Sequence, residues 1–117
     1  MRKVFIVDCI ETVMNILFVC NQNENRSKTA EEIFKRKYNT KSAGLYNKNP
    51  LSKKELSWAD TVIVMEEDQG DEIAKRFPNE YMKKRVLSLN IPDDYHYNQP
   101  FLVKLLKEKI AHYGDLL

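Results

Sequence analysis

Cysteine and glycine are both scarce here: the 117-residue chain has two cysteines, Cys9 and Cys20, and three glycines. Two cysteines exclude a disulfide scaffold, and their spacing excludes a CxxC metal site. His96 and His112 lie too far apart in sequence to form a regularly spaced ligand pair. Charge of one sign is lacking too, since 19 Lys and Arg face 17 Asp and Glu for a net charge of +2. That balance argues for neither nucleic acid nor a membrane surface as partner. Basic clusters such as Lys35-Arg36-Lys37 and Lys83-Lys84-Arg85 read as solvated faces. No apolar run approaches the roughly 20 residues of a membrane span. The basic start is interrupted by Asp8 and Glu11, too early for a signal peptide. A reducing cytoplasm is the simplest setting, and there Cys20 stays a thiol.

What is present is an alternation of apolar runs with helical spacings. "ILFVC" at 16–20 is a continuous apolar run, the pattern of a strand buried on both faces. Ala30, Ile33, Phe34 and Tyr38 then recur at helical spacing, with a start near Ser27 and Thr29 and Glu32 spaced as a capping box. Residues 41–44 form a short second strand, and "PLSKKELSWAD" a short helix opened by Pro50 or Ser52. "TVIVM" at 61–65 is a third strand, followed by a helix over "EEDQGDEIAKRF" that Pro78 stops. "RVLSL" at 85–89 is a fourth strand, "IPDDYHYNQP" an irregular loop, and the run from Pro100 a final amphipathic helix. Such alternation predicts one α/β layer sandwich, a parallel sheet with helices on both faces. Trp58, near Leu51 at helical spacing, is read as core. Residues 1–13 are read as an extension peripheral to a single domain over 14–117, although "KVFIV" also suits an additional edge strand.

The chemistry concentrates after the first core strand. In open parallel sheets ligands bind beyond the carboxyl ends of strands, and the first βα loop is a favoured place. Cys20 ends that strand, and Arg26 follows six residues later with Ser27 beside it. Amides of residues 21–25 and the N-terminus of the following helix would favour an oxyanion, and the same field favours a thiolate. Arginine grips two phosphate oxygens with a planar fork that lysine lacks. The Ser27 hydroxyl can donate to sulfur. Cys-x5-Arg-Ser suits attack of sulfur on a phosphate ester and hydrolysis of the phosphocysteine, with no metal or cofactor needed. Cys-x5-Arg alone is a loose pattern, and a cysteine closing an apolar strand is commonly just a small buried hydrophobe. The absence of glycine from 21–25 also speaks against a phosphate loop. The context of strand, helix and serine weighs the other way.

With these residues in order, the chain resembles the low-molecular-weight protein tyrosine phosphatase family. The resemblance rests on "ILFVCNQNENRS", "TAEEIF", "SAG" at 42–44, "ADTVIVM" at 59–65 and "IPDDY" at 91–95, and covers 14 to about 106. "IPDDYHY" is similar to a shorter branch, the predicted protein tyrosine phosphatases. The family fold implies a three-layer sandwich with a four-stranded parallel sheet in order 2-1-3-4. The resemblance makes Cys20 the nucleophile, Arg26 the phosphate clamp and Asp93 the general acid. Asn21, Gln22, Asn23, Glu24 and Asn25 would surround the phosphate with Ser27. Asn23 would hold the loop in a left-handed conformation, and Ser42 would hydrogen-bond to Asn23. Tyr95 would wall the pocket; Tyr97 suits either that wall or packing of the loop. His96 is read as a solvent-facing loop residue.

The chain also departs from the family. Gln22 stands where the family has glycine, Asn25 where it has a second cysteine, and Asp94 where it has proline. A one-residue shift would therefore pass the acid's task from Asp93 to Asp94, and Pro-Asp-Asp is also a good turn sequence. Cys9 is not placed to replace the missing cysteine. Glu24 puts a carboxylate at the pocket mouth, which opposes a phosphate dianion and could welcome a cationic leaving group such as phosphoarginine's. The functions weighed are a phosphatase for phosphotyrosine or a related phosphoprotein, a phosphoarginine phosphatase, and a phosphate-binding module without turnover. Arsenate reductase is disfavoured, because no cysteine follows Cys20 to relay a disulfide.

Overall fold

The computed structural model describes the backbone of residues 4–7 and 10–113 and the side chains of 13–113. Strands β1 (Val4–Val7) and β2 (Ile10–Val13) pair antiparallel in a two-stranded sheet of their own. The remainder of the 1–13 extension, Cys9 included, lies outside the described residues. The chain then runs through β3 (Asn15–Cys20), α1 (Arg26–Phe34), β4 (Asn39–Gly44), α2 (Lys53–Trp58) and β5 (Thr61–Val64). It continues through α3 (Glu67–Arg76), α4 (Pro78–Lys83), β6 (Arg85–Ser88) and α5 (Pro100–Tyr113).

Strands β3 to β6 form a parallel four-stranded sheet in the order β4-β3-β5-β6, which is the order 2-1-3-4 counted from β3. Side chains alternate across a strand, so the central β3 feeds two cores. Ile16, Phe18 and Cys20 face α1 and α5 in a cluster with Ala30, Leu102 and Leu106. Leu17 and Val19 face α2 and α3 in a second cluster with Leu56, Val62 and Ile73. Each fully buried Leu, Ile or Phe contributes about 1.5–3 kcal/mol. With residues 16–19 at most 1% exposed, β3 is a rigid base for the loop that follows it. Trp58 is half-buried against the second core, with Lys41 Nζ 4.5 Å from its ring centre.

Three elements differ from the sequence expectation. Strand β4 begins at Asn39 rather than 41, because pairing with β3 holds Asn39 opposite Asn15. Its "NTKSAG" has little apolar periodicity to announce a strand. Pro78 follows the end of α3 but also opens α4, where its missing N–H costs nothing at the first helical position. Helix α1 starts at Arg26 with Asn25 as N-cap and no side-chain capping bond. Thr29 is used otherwise: its hydroxyl donates to the Asn25 carbonyl at 2.6 Å. Among the described residues no helix is long and apolar enough to cross a membrane.

Candidate active site

The chain passes from β3 through α1 to β4 on one side, then crosses to β5 on the other. This reversal opens a crevice at the carboxyl ends of β3 and β5, and residues 21–25 occupy it. Cys20, 3% exposed, closes β3. Its Sγ lies 2.9 Å from Ser27 Oγ and accepts the Asn23 amide N–H at 3.2 Å. Ser27 Oγ also reaches Asn23 Oδ1 at 2.7 Å. Ser27 has a single hydroxyl proton for two acceptors. With a thiol the bonds run from Sγ–H to Oγ and from Oγ–H to Oδ1. Once the thiol proton leaves, the hydroxyl is free to turn to sulfur.

Asn23 adopts φ 55°, the left-handed turn on which the loop reverses. Gly44, opposite Cys20 in β4, lies directly beneath it. A Cβ there would come within 3.0 Å of Asn21 O and Asn23 N, and within 2.9 Å of Asn47 Cγ. The next amides fasten the loop's start: Leu45 N–H donates to Cys20 O at 3.0 Å and Tyr46 N–H to Asn21 O at 2.9 Å. Ser42 takes no part in this. It pairs with Phe18, two residues short of Cys20, and its hydroxyl donates to Glu31 on α1 at 2.6 Å. The expected bond from Ser42 to Asn23 is thus replaced by that from Ser27.

Arg26, the first residue of α1, is 1% exposed. One terminal nitrogen donates to Glu66 Oε2 at 2.9 Å and to the Ile91 carbonyl at 2.7 Å. Its Nε has no hydrogen-bond partner, and Asp93 Oδ1 stands 3.7 Å away. Glu66, at the carboxyl end of β5, is the N-cap of α3 in a reciprocal capping box with Gln69. Gln69 is buried; its Oε1 accepts the Met65 and Glu66 amides, and its Nε2 donates to Asn21 Oδ1 at 3.1 Å. Sequence reasoning missed Glu66 and Gln69. The available signal was their capping spacing directly after a buried strand.

Cys20, Gln22, Glu24, Asn25, Arg26 and Asp93 line a cavity of about 40 Å³. A water needs about 10–15 Å³ on that scale, so the cavity suits a few oxygens of one tetrahedral anion. Larger clefts of about 370 and 470 Å³ flank β6 and Tyr113 and contain neither Cys20 nor Arg26. Asp94 is exposed and is not among the cavity's lining residues. Tyr95 packs on the first core, its ring 5.7 Å from that of Phe101, and Tyr97 is 48% exposed. Tyr46, which the sequence reading passed over, is an exposed aromatic tied to the loop by its amide, with the Arg76 guanidinium 5.0 Å from its ring centre. Among the described residues no group of three or more His, Cys, Asp and Glu is placed to hold a metal.

The fold is that of the low-molecular-weight protein tyrosine phosphatases. The YwlE arginine phosphatase from Geobacillus stearothermophilus is 21% identical, with 88% of this chain and 90% of that one covered at a TM-score of 0.69. The tyrosine phosphatase Wzb from Escherichia coli K30, in complex with phosphate, is 18% identical over 91% and 99% of the two chains, at 0.73. A low-molecular-weight protein tyrosine phosphatase from T. tengcongensis is 21% identical over 88% and 97%, at 0.68. Neither the protein-family models nor the curated sequences give a match.

Within this phosphatase fold, the departures at Gln22 and Asn25 have structural explanations. Positive φ among the described non-glycine residues falls at Asn23, Asn90 and Asn98. The loop therefore turns on Asn23, and Gln22 needs no glycine's freedom. Asn25 turns its side chain away from α1: its Oδ1 accepts the Tyr97 amide N–H at 2.9 Å.

Proposed function

We propose that the chain is a cysteine-dependent phosphomonoesterase acting on phosphotyrosine or a related phosphoprotein. Small phosphomonoesters would serve as simpler substrates, and inorganic phosphate as product and inhibitor. One observation carries this reading: the Cys20 thiol, the unbonded Nε of buried Arg26 and the Asp93 carboxyl group meet at one small cavity. The Cys20 thiolate attacks phosphorus while the P–O ester bond breaks and protonated Asp93 gives its proton to the leaving oxygen. Asp93, now a carboxylate, takes a proton from water as that water attacks phosphocysteine. The S–P bond breaks with its electrons returning to Sγ. Loop amides and Arg26 would hold the equatorial oxygens, stabilising charge that grows in the transition state.

The catalytic unit in this reading spans 14–117 with residues 1–13 as an extension, supported by the separate pairing of β1 with β2. A reducing cytoplasm, which keeps Cys20 a thiol, is the setting proposed. Nucleic acid and membrane have no part in it, given a net charge of only +2.

The test is hydrolysis of para-nitrophenyl phosphate by wild type and two variants. Asp93→Ala is expected to lower kcat about a hundred- to ten-thousand-fold, and Asp94→Ala by less than about twofold, as befits an exposed side chain away from the reacting atoms. The reverse ranking would move the acid to Asp94. Tight phosphate binding without Cys20-dependent turnover would identify a binding module instead.

Glu24 favours a second reading, the phosphoarginine phosphatase. It is exposed at the cavity mouth on the same rim as Asp93. Its charge opposes a phosphate dianion by about 1 kcal/mol in solvent and would attract a guanidinium leaving group. On this reading Glu24→Gln improves kcat/KM for an aryl phosphate and reduces it for phosphoarginine, about fivefold each way. An unchanged preference removes the second reading.

A further inference from the structure

Asp93 sits in a segment of irregular structure, yet it faces an arginine that is fixed in place. The segment leaves β6 through Asn90 and joins α5 after Asn98, and both of these asparagines are left-handed, with φ 54° and 58°. Its first end is held at Ile91, whose amide donates to Met65 O at 2.8 Å and whose carbonyl accepts from Arg26. Pro92, Asp93 and Asp94 follow, all exposed. The second end is held by the phosphate loop and α1. The Tyr97 amide donates to Asn25 Oδ1 at 2.9 Å, and the Asn98 amide to Thr29 Oγ1 at 2.8 Å. Thr29 in turn donates to the Asn25 carbonyl, so the two acceptors support each other.

We propose that Asn25 and Thr29 are positioning residues for Asp93, clipping the segment that carries it to the loop that carries Cys20. The inference rests on the phosphatase reading above and adds how its acid is held in register. A side-chain amide at 25 supplies the strong acceptor this clip needs; a thiol there is only a weak one. Thr29 is fully buried, so its hydroxyl is aimed by the packing of α1 rather than free to rotate into solvent. The phosphate loop and acid segment therefore move as one body, with Asp93 suspended between Ile91 and Tyr97.

A positioning role has a signature that loss of stability does not share. In the ester-cleaving step a general acid matters for a poor leaving group and little for a good one, whose oxygen departs without a proton. The experiment compares kcat/KM, which reports the steps up to departure of the leaving group, for phenyl phosphate and dinitrophenyl phosphate in wild type, Asn25→Ala, Thr29→Val and Thr29→Ser. The two truncations are expected to lower kcat/KM about tenfold more for phenyl phosphate than for dinitrophenyl phosphate. Thr29→Ser, which keeps the hydroxyl, restores most of the loss. In an Asp93→Ala background the same truncations no longer shift that leaving-group ratio, since the group they position is gone. Equal losses on both substrates, or a leaving-group ratio that still shifts without Asp93, overturn the proposal. Circular dichroism confirms that each variant is folded; if Thr29→Val is not, Asn25→Ala on the rim decides alone. Wild type without Cys20-dependent turnover overturns the phosphatase reading and this proposal together, whereas active wild type with a flat leaving-group response overturns this proposal alone.

Discussion

Cys20→Ser is expected to lower turnover of para-nitrophenyl phosphate at least about ten-thousand-fold while leaving the fold and phosphate binding intact. The serine oxygen occupies nearly the place of Sγ and can accept the same Asn23 amide and meet the same Ser27 hydroxyl. What changes is the nucleophile's chemistry. A hydroxyl in this setting has no adjacent base to ionise it, and a phosphoserine would lack sulfur's readiness to leave. Steady-state assays measure the first expectation, and phosphate titration followed by calorimetry the second. Phosphate affinity is expected within about threefold of wild type, since amides and Arg26 supply most of the binding. Appreciable turnover by the serine variant would exclude Cys20 as the nucleophile.

The second large effect is on stability. Glu66→Ala leaves Arg26, at 1% exposure, with the Ile91 carbonyl and an Asp93 carboxylate 3.7 Å away. Breaking a fully buried pair by removing one partner costs about 3–5 kcal/mol. Because the Glu66 side chain is 35% exposed, solvent can partly replace it, and a loss of about 2–3 kcal/mol is expected. For a domain of this size that lowers the melting temperature by about 10 °C. A phosphate dianion in the cavity would bring new negative charge to the same guanidinium. Phosphate is therefore expected to raise the variant's melting temperature more than that of wild type, narrowing the gap. Thermal melts with and without phosphate measure both effects. A variant melting within about 2 °C of wild type would show that the pair contributes little.

The sheet was legible where a strand is buried on both faces. "ILFVC" and "TVIV" are continuous apolar runs because the even and odd residues each meet a helical layer. Strand β4 was only half legible, since its first residues take their strand state from pairing with β3 rather than from their own side chains. Helix α4 stayed hidden because Pro78 marks an end and a beginning at once. In the site, residues 20–27 could be read together because one loop carries them. Glu66 and Gln69 arrive on a different strand and helix, so no local spacing connects them to Arg26 or Asn21. Ser42 shows the converse limit. Its role was inferred from a motif, but the side chain faces α1 and bonds Glu31.

The lack of glycine between Cys20 and Arg26 has a thermodynamic consequence. Each glycine in a folded segment forfeits more conformational entropy than other residues, about 0.5–1 kcal/mol relative to alanine. The five residues between Cys20 and Arg26 avoid that loss, concentrating the conformational difficulty in Asn23 alone. Gly44 supplies closeness from below, and Gln69 holds the loop from the side. Such a loop is already shaped before any anion arrives, so little ordering would oppose binding of one. On the phosphatase reading, the same preorganisation would also favour retention of the product phosphate.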